Sequence, residues 1–151
     1  MSNEVEVRRL SAGEVGRAAR LFALYREFYG QPFDLRVAEQ FLRERVERAQ
    51  SVVLLAELDG QAVGFTQLYP GFSSVSAAPA WVLNDLYVLA DARGRGVADA
   101  LMERAEAVAR EGGAVVLSLQ TARDNHVARR LYERQGYSTD ATFVSYAKRL
   151  S

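Results

Sequence analysis

The chain has 151 residues, of which 49% are hydrophobic and 25% charged, a composition that predicts one globular domain over residues 1–151 with a sizeable core. Its 19 basic and 19 acidic residues balance to a formal charge of zero, so no nucleic-acid footprint is expected. There is no cysteine, and His126 is the only histidine; disulfides, thiolate zinc, a cysteine nucleophile and a multi-histidine metal site are excluded, and no metal is expected. No apolar run approaches the ~20 residues of a membrane span, and the start MSNEVEVRRL lacks a signal-peptide core. No membrane partner and a cytoplasmic location are therefore expected.

Glu4 to Leu10 alternates and predicts a first strand. Ser11-Ala-Gly-Glu14 fits a capping box for a helix from about Ala12 to Tyr29, with Val15, Ala18, Ala19, Phe22, Tyr25 and Tyr29 at helical spacing. Gly30-Gln31-Pro32 stops it, and Asp34 offers an N-cap for a second helix to about Ala49, with Val37, Phe41 and Val46 facing inward. Ser51 to Leu58 predicts a strand, Asp59-Gly60 a hairpin turn of the primed type, and Gln61 to Tyr69 the returning strand. A loop from Pro70 to Pro79 precedes a strand from Trp81 to Val88.

An Arg- and Gly-rich turn then leads to a helix from Val97 to about Glu111, which buries Val97, Leu101, Ala105 and Val108 and stops at Gly112-Gly113. Ala114 to Gln120 reads as a continuous apolar strand, which completes a βαβ unit with parallel strands. Asn125 caps a short helix through Arg134, Gly136 closes it, and Thr142 to Leu150 predicts a last strand. This order describes an α/β fold: a mixed, mostly antiparallel sheet with a central parallel βαβ unit and helices on both faces.

The turn Arg93-Gly94-Arg95-Gly96-Val97-Ala98 is the stretch around which the chemistry gathers. Glycines permit close backbone approach, and the first N–H groups of a helix carry partial positive charge, a combination that suits a phosphate. A Walker loop needs a lysine, and none lies near. A dinucleotide fingerprint needs a third glycine where Asp99 places a negative charge. Taken alone, the turn reads equally well as an ordinary strand-to-helix connection.

Two motifs in register make it more specific. Arg93-x-x-Gly96-x-Ala98 follows a strand ending Asp85-Leu86-Tyr87-Val88 and resembles the Q/R-x-x-G-x-G/A signature of the GNAT superfamily of N-acetyltransferases. Asn125 to Tyr137 resembles that family's N-x-x-A-x-x-L-Y-x-x-x-G-F/Y segment. The similarity is strongest over residues 81–137. The run from Gly64 to Ser74, followed by Trp81 to Val88, further resembles small stand-alone members grouped with yeast histone and amino-acid acetyltransferases.

The resemblance implies transfer of acetyl from acetyl-CoA to a primary amine, directly in a ternary complex. It places the pyrophosphate on the backbone of Gly94, Arg95, Gly96, Val97 and Ala98, with Arg93 and Arg95 adding charge-assisted contacts. Pantetheine is implied along Leu86, Tyr87 and Val88, in a gap between two parallel strands, with Asn125 and Ala128 facing the cofactor arm; Asn125 is equally a plain N-cap. Only ~0.04% of an amine of pKa about 10.4 is free base at pH 7, so a base is useful. Asp85 is the best-placed acceptor, since residues 61–84 carry no charged side chain; it either takes the proton or only binds the ammonium. A backbone N–H near Val88 is the implied oxyanion donor. Tyr132 is the candidate partner of the departing thiolate. A phenol of pKa ~10 protonating it is uphill by about 2 kcal/mol, so its part is a proton or a hydrogen bond. His126 reads as a surface or cofactor-edge residue.

Tyr25, Tyr29, Phe72 and Trp81, with Asp85, are candidates for the acceptor side. The uncharged stretch 61–84 argues against a polycationic acceptor and for a small or amino-acid-like amine. A protein lysine or N-terminus is the alternative, and a silent acetyl-CoA-binding module a third reading. A homodimer is what the resemblance implies for assembly.

Overall fold

A computed structural model of the chain describes residues 4–151. Strand β1 (Glu6–Arg9) leads through a capping box, in which the Glu14 carboxylate accepts from Ser11 N at 3.0 Å, into a 3-10 turn at Ala12–Glu14 and helix α1 (Gly16–Phe28). Helix α2 (Leu35–Glu47) is capped by Asp34, whose Oδ1 accepts from Val37 N at 3.1 Å. Strands β2 (Val52–Leu58) and β3 (Gln61–Tyr69) form a hairpin across Asp59 (φ 50°) and Gly60 (φ 77°). Positive φ at both central residues is the primed turn, whose twist matches that of the paired strands.

The loop after β3 contains a two-stranded ribbon, β4 (Phe72–Ser73) and β5 (Ala78–Pro79). Strand β6 (Trp81–Val88), helix α3 (Val97–Glu111) and strand β7 (Leu117–Ser118) make the βαβ unit, with β6 and β7 parallel. The main sheet has the order β1-β2-β3-β6-β7 and is antiparallel except at this last pair. The expected mixed α/β architecture is therefore present.

Helices cover both faces. On one face Val15, Ala18, Leu21 and Phe22 of the first helical segment, with Ala38 and Leu42 of α2, pack on Val53, Leu55 and Phe65. The Phe22 and Phe65 rings meet edge to face at 5.9 Å. On the other face α3 lies close against β3 at Gly64. A Cβ there would fall 3.1 Å from Val97 Cγ1, 3.3 Å from Leu101 Cδ1 and 3.0 Å from the Tyr87 carbonyl. At the far end of α3, a Cβ on Gly112 would fall 2.4 Å from the Trp81 ring.

Several boundaries and faces differ from expectation. The strand expected over Ala114 to Gln120 pairs only at Leu117–Ser118, although Val116 O still accepts from Trp81 N at 2.9 Å. Among the described residues no strand pairs with its other edge, so ladder bonds form on one side alone. Val37, expected inward, is 45% exposed, because the buried stripe of α2 is Ala38 and Leu42 and passes to one side of it. Tyr29, at the last turn of α1, is 60% exposed.

The chain divides into two compact units, one ending at Gln120 and one running from Thr121 to Ser151. The second holds helix α4 (His126–Arg134), capped by Asn125, whose Oδ1 accepts from Ala128 N at 3.1 Å. Thr142 to Leu150, expected as a strand, forms none. Its start is bent by Asp140 Oδ1 accepting from Thr142 N at 2.7 Å, and the second unit contains no other strand to supply a ladder.

Substituting Gly64→Ala should lower unfolding stability by about 1–3 kcal/mol, since its neighbours are backbone and packed core rather than a movable side-chain end. Urea denaturation measures this, and an unchanged midpoint would show that the contact between β3 and α3 relaxes without cost.

Candidate active site

Strand β6 carries one residue more than its partner. Gln67 pairs with Asp85 and Leu68 pairs with Leu83, so Asn84 is the extra residue of a β-bulge. The bulge reverses the alternation of side chains. Trp81 packs on Gly112 at the end of α3, on the α3 face. Asp85, four residues on, would share that face in a regular strand; instead it meets Gln67 on the face covered by α1, beside Tyr25. The two bulge carbonyls are tied down: Thr66 Oγ1 donates to Asp85 O at 2.7 Å and Tyr25 Oη donates to Asn84 O at 3.3 Å.

Asp85 is 2% exposed. Its Oδ1 accepts from Asn84 Nδ2 at 2.7 Å, and its Oδ2 from Gln67 Nε2. Burial pushes its carboxyl above the usual range, against the opposing pull of hydrogen bonds from Asn84, Gln67 and Tyr25. The same burial and the nearby carboxylate raise the Tyr25 hydroxyl above its ordinary range and push Tyr69 up to about 12. Glu57, the other buried acid, is treated differently: it ion-pairs with Arg8 at 3.0 Å and Arg17 at 2.6 Å. Asp85 faces carboxamides and phenols where Glu57 faces guanidinium groups. Burial thus favours the proton-bound form of this carboxyl more than water would.

Beyond Asp85 the strand offers an edge. Leu89 N donates to Val63 O at 2.9 Å, and alternation then turns the N–H groups of Leu86 and Val88 away from β3, toward the side where β7 lies. The β6–β7 ladder reaches only to Val82 and Ser118, so it stops before Leu86. Next in the chain comes the turn. Gly94 and Gly96 have φ of 75° and 81°, left-handed values that favour glycine, and Gly96, which carries no side chain, stands at the N-cap of α3. Arg93 Nε donates to Val88 O at 3.1 Å, bracing the turn against the end of β6. Arg93, Gly94, Arg95 and Gly96 are exposed, and Val97 is buried as the anchor of the helix.

The structure therefore brings Asp85, Leu86, Tyr87 and Val88 together with the 93–98 turn on one continuous stretch. Of the aromatic candidates, Tyr25 touches the Asp85 cluster, and Tyr29 packs on Tyr25 at a tilt, with ring centres 5.0 Å apart. Phe72 sits 86% exposed on the small ribbon, and Trp81 lies on the opposite sheet face; neither joins Asp85. In the second unit, Asn125 and Ala128 are joined by the cap bond, and Tyr132 packs edge to face on Tyr137 at 6.3 Å. His126 is exposed at the start of α4. Sequence reasoning missed Gln67, Tyr69 and Asn84. The available signal was a glutamine within the mostly apolar run of β3. Among the described residues no cluster of side chains is arranged to hold a metal.

The chain belongs to the acetyltransferase (GNAT) family, whose model matches residues 18–137, and it is an N-acetyltransferase of that family. It is 46% identical over 142 residues to the uncharacterized N-acetyltransferase YhfO of Bacillus subtilis (strain 168), covering 94% of this chain and 95% of that one. Among solved structures, a probable acetyltransferase superposes with a TM-score of 0.90 at 39% identity, covering 97% of this chain and 98% of that one. A ribosomal-protein-alanine N-acetyltransferase from Brucella melitensis biovar Abortus 2308 gives a TM-score of 0.80 at 26% identity, covering 98% and 100%.

The raised titration of Asp85 gives a signed prediction for Asp85→Asn. In the wild type the folded state binds more protons than the unfolded state between the unfolded value of about 3.9 and the raised native one, so stability falls as pH rises through that window. Asparagine does not ionise, and rotation of the Gln67 amide lets Oε1 accept from the new Nδ2. The stability difference, variant minus wild type, should grow with pH from about pH 4 upward and then level off. Denaturation curves at a series of pH values measure it; a difference independent of pH would contradict the raised value.

Proposed function

We propose that this enzyme transfers the acetyl group of acetyl-CoA to the primary amine of a small or amino-acid-like acceptor, with Asp85 as general base. The observation that carries this reading is the continuous stretch 85–98, in which a buried carboxylate, an unladdered strand edge and a glycine turn opening a helix follow one another. The two left-handed glycines and the glycine N-cap of α3 fit a pyrophosphate held by backbone N–H groups from Gly94 to Ala98, and Arg95 adds charge from the exposed side of the turn. The outward N–H of Leu86 fits the amide-bearing arm, and that of Val88 lies next along the same edge.

Acetyl-CoA supplies an activated acyl group as its thioester. The chain's own residues do the rest. Asp85 receives the proton lost by the amine as the new C–N bond forms. Val88 N–H donates to the acetyl oxygen while it carries negative charge. Tyr132 enters on its place in the Asn125–Tyr137 motif, as donor to the sulfur when the C–S bond breaks. We read the two units as one domain, in keeping with a family match that runs unbroken across residue 120.

For the acceptor, a single buried carboxylate beside Tyr25 and Tyr29 favours a monocationic amine on an apolar body over a polycation, which an acidic trough would serve better. A protein α-amino group is the second reading, favoured by the likeness to the ribosomal-protein-alanine enzyme. Thiol release from acetyl-CoA, measured with a panel of small amines, diamines and amino-terminal peptides, tests both. Turnover should be highest with small monoamines. Asp85→Asn should lower kcat about 10²–10⁴-fold, and Tyr132→Phe about 10²-fold. Arg93→Ala should weaken CoA binding roughly tenfold. Binding of acetyl-CoA without turnover on any acceptor would defeat the proposal, and turnover confined to peptides would select the second reading.

A further inference from the structure

Gln67 is fully buried, directly across the ladder from Asp85. Its Nε2 donates to Asp85 Oδ2, and its Oε1 is buried without a hydrogen-bond partner among the described residues. An unpartnered buried carbonyl is costly, and a methionine or leucine of similar volume would fill the site without that cost. A carboxamide has one property that those side chains lack. Rotated about its last torsion, it presents an acceptor where it had presented a donor.

Asp85 needs both. Ionised, its Oδ2 requires a donor; protonated, the same oxygen carries a hydrogen that requires an acceptor. We propose that Gln67 is a positioning residue that holds Asp85 in both protonation states, through Nε2 before proton transfer and through Oε1 after it. The inference rests on the reading of Asp85 as the base. The accounting is closed: the proton leaves the amine nitrogen as the C–N bond forms, resides on Asp85 Oδ2, donates to Gln67 Oε1 and passes to solvent when product leaves. No electrons are exchanged.

The groups facing Asp85 support this assignment. From α1 comes Tyr25, from β3 Tyr69, and from β6 itself Asn84, with Arg45 of α2 behind Tyr69. Both phenols are held above their ordinary range and remain neutral donors near neutral pH. Arg45 is engaged by Glu44 at 3.3 Å and by Gln50 Oε1 at 2.9 Å. Within the cluster, Asp85 is the group that changes charge.

The test is NMR titration of the full chain, following the Asp85 carboxyl carbon and the Gln67 side-chain amide in the same samples. The two should titrate with one midpoint, because the amide turns as the carboxyl protonates. In Gln67→Met the Asp85 midpoint should rise by about one unit, since the bond to the ionised form is charge-assisted and the stronger of the two. Gln67→Asn, which keeps the amide but withdraws it from Oδ2, should move it the same way. The pH profile of kcat should shift with the midpoint, while the KM for acetyl-CoA stays unchanged. A Gln67 amide that ignores the Asp85 titration, or an unmoved Asp85 midpoint in both variants, overturns the inference. Full activity of Asp85→Asn would overturn the base reading instead, and the two titrations would still decide whether Gln67 holds Asp85.

Discussion

The extra residue at Asn84 reverses the face to which β6 presents its side chains, and the chemistry of the site depends on that reversal. Without it, Asp85 would point with Trp81 and Leu83 into the packing against α3. With it, the strand keeps its apolar half on that side and delivers one carboxyl to the other, among Tyr25, Gln67 and Tyr69. A bulge costs ladder hydrogen bonds, and here side chains replace part of the loss. Thr66 and Tyr25 donate to the carbonyls of Asp85 and Asn84, one from each side of the sheet.

The two buried acids are held by different kinds of partner. Glu57 is fixed by Arg8 and Arg17, which tie β1 and α1 to β2. Opposite charge satisfies its carboxylate on both oxygens. Asp85 is solvated by dipoles alone, and burial favours its proton-bound form. The same side-chain chemistry is thus paired with charge at one position and with dipoles at another, less than 30 residues away.

Much of this was legible in the sequence because local physics determined it. Asp34 and Asn125 cap their helices, Asp59-Gly60 makes the primed turn, and the bounds of β3 and β6 follow the apolar runs. The 93–98 turn was visible for the same reason, since left-handed φ values at Gly94 and Gly96 ask for glycine. The bulge was not legible: a single inserted residue leaves composition and turn signals intact and changes only the phase of a pattern. Gln67 was missed as a consequence, because its partner was assigned to a regular strand. Val37 misled because helical spacing alone leaves the rotation of a short amphipathic helix open, and Ala38 is easily passed over as a core residue. Thr142 to Leu150 alternates well enough to suggest a strand, yet pairing is a property of a partner and cannot be read from one segment.

The two close glycine contacts of α3 have a mechanical consequence. Gly64 receives Val97 and Leu101 near the start of the helix, and Gly112 receives the Trp81 ring at its end. A rod keyed to its base at both ends neither slides nor rolls. The sheet therefore acts as the jig that sets the height of the glycine turn above the end of β6, and the distance between the Asp85 carboxyl and that turn is built into the framework before any ligand arrives.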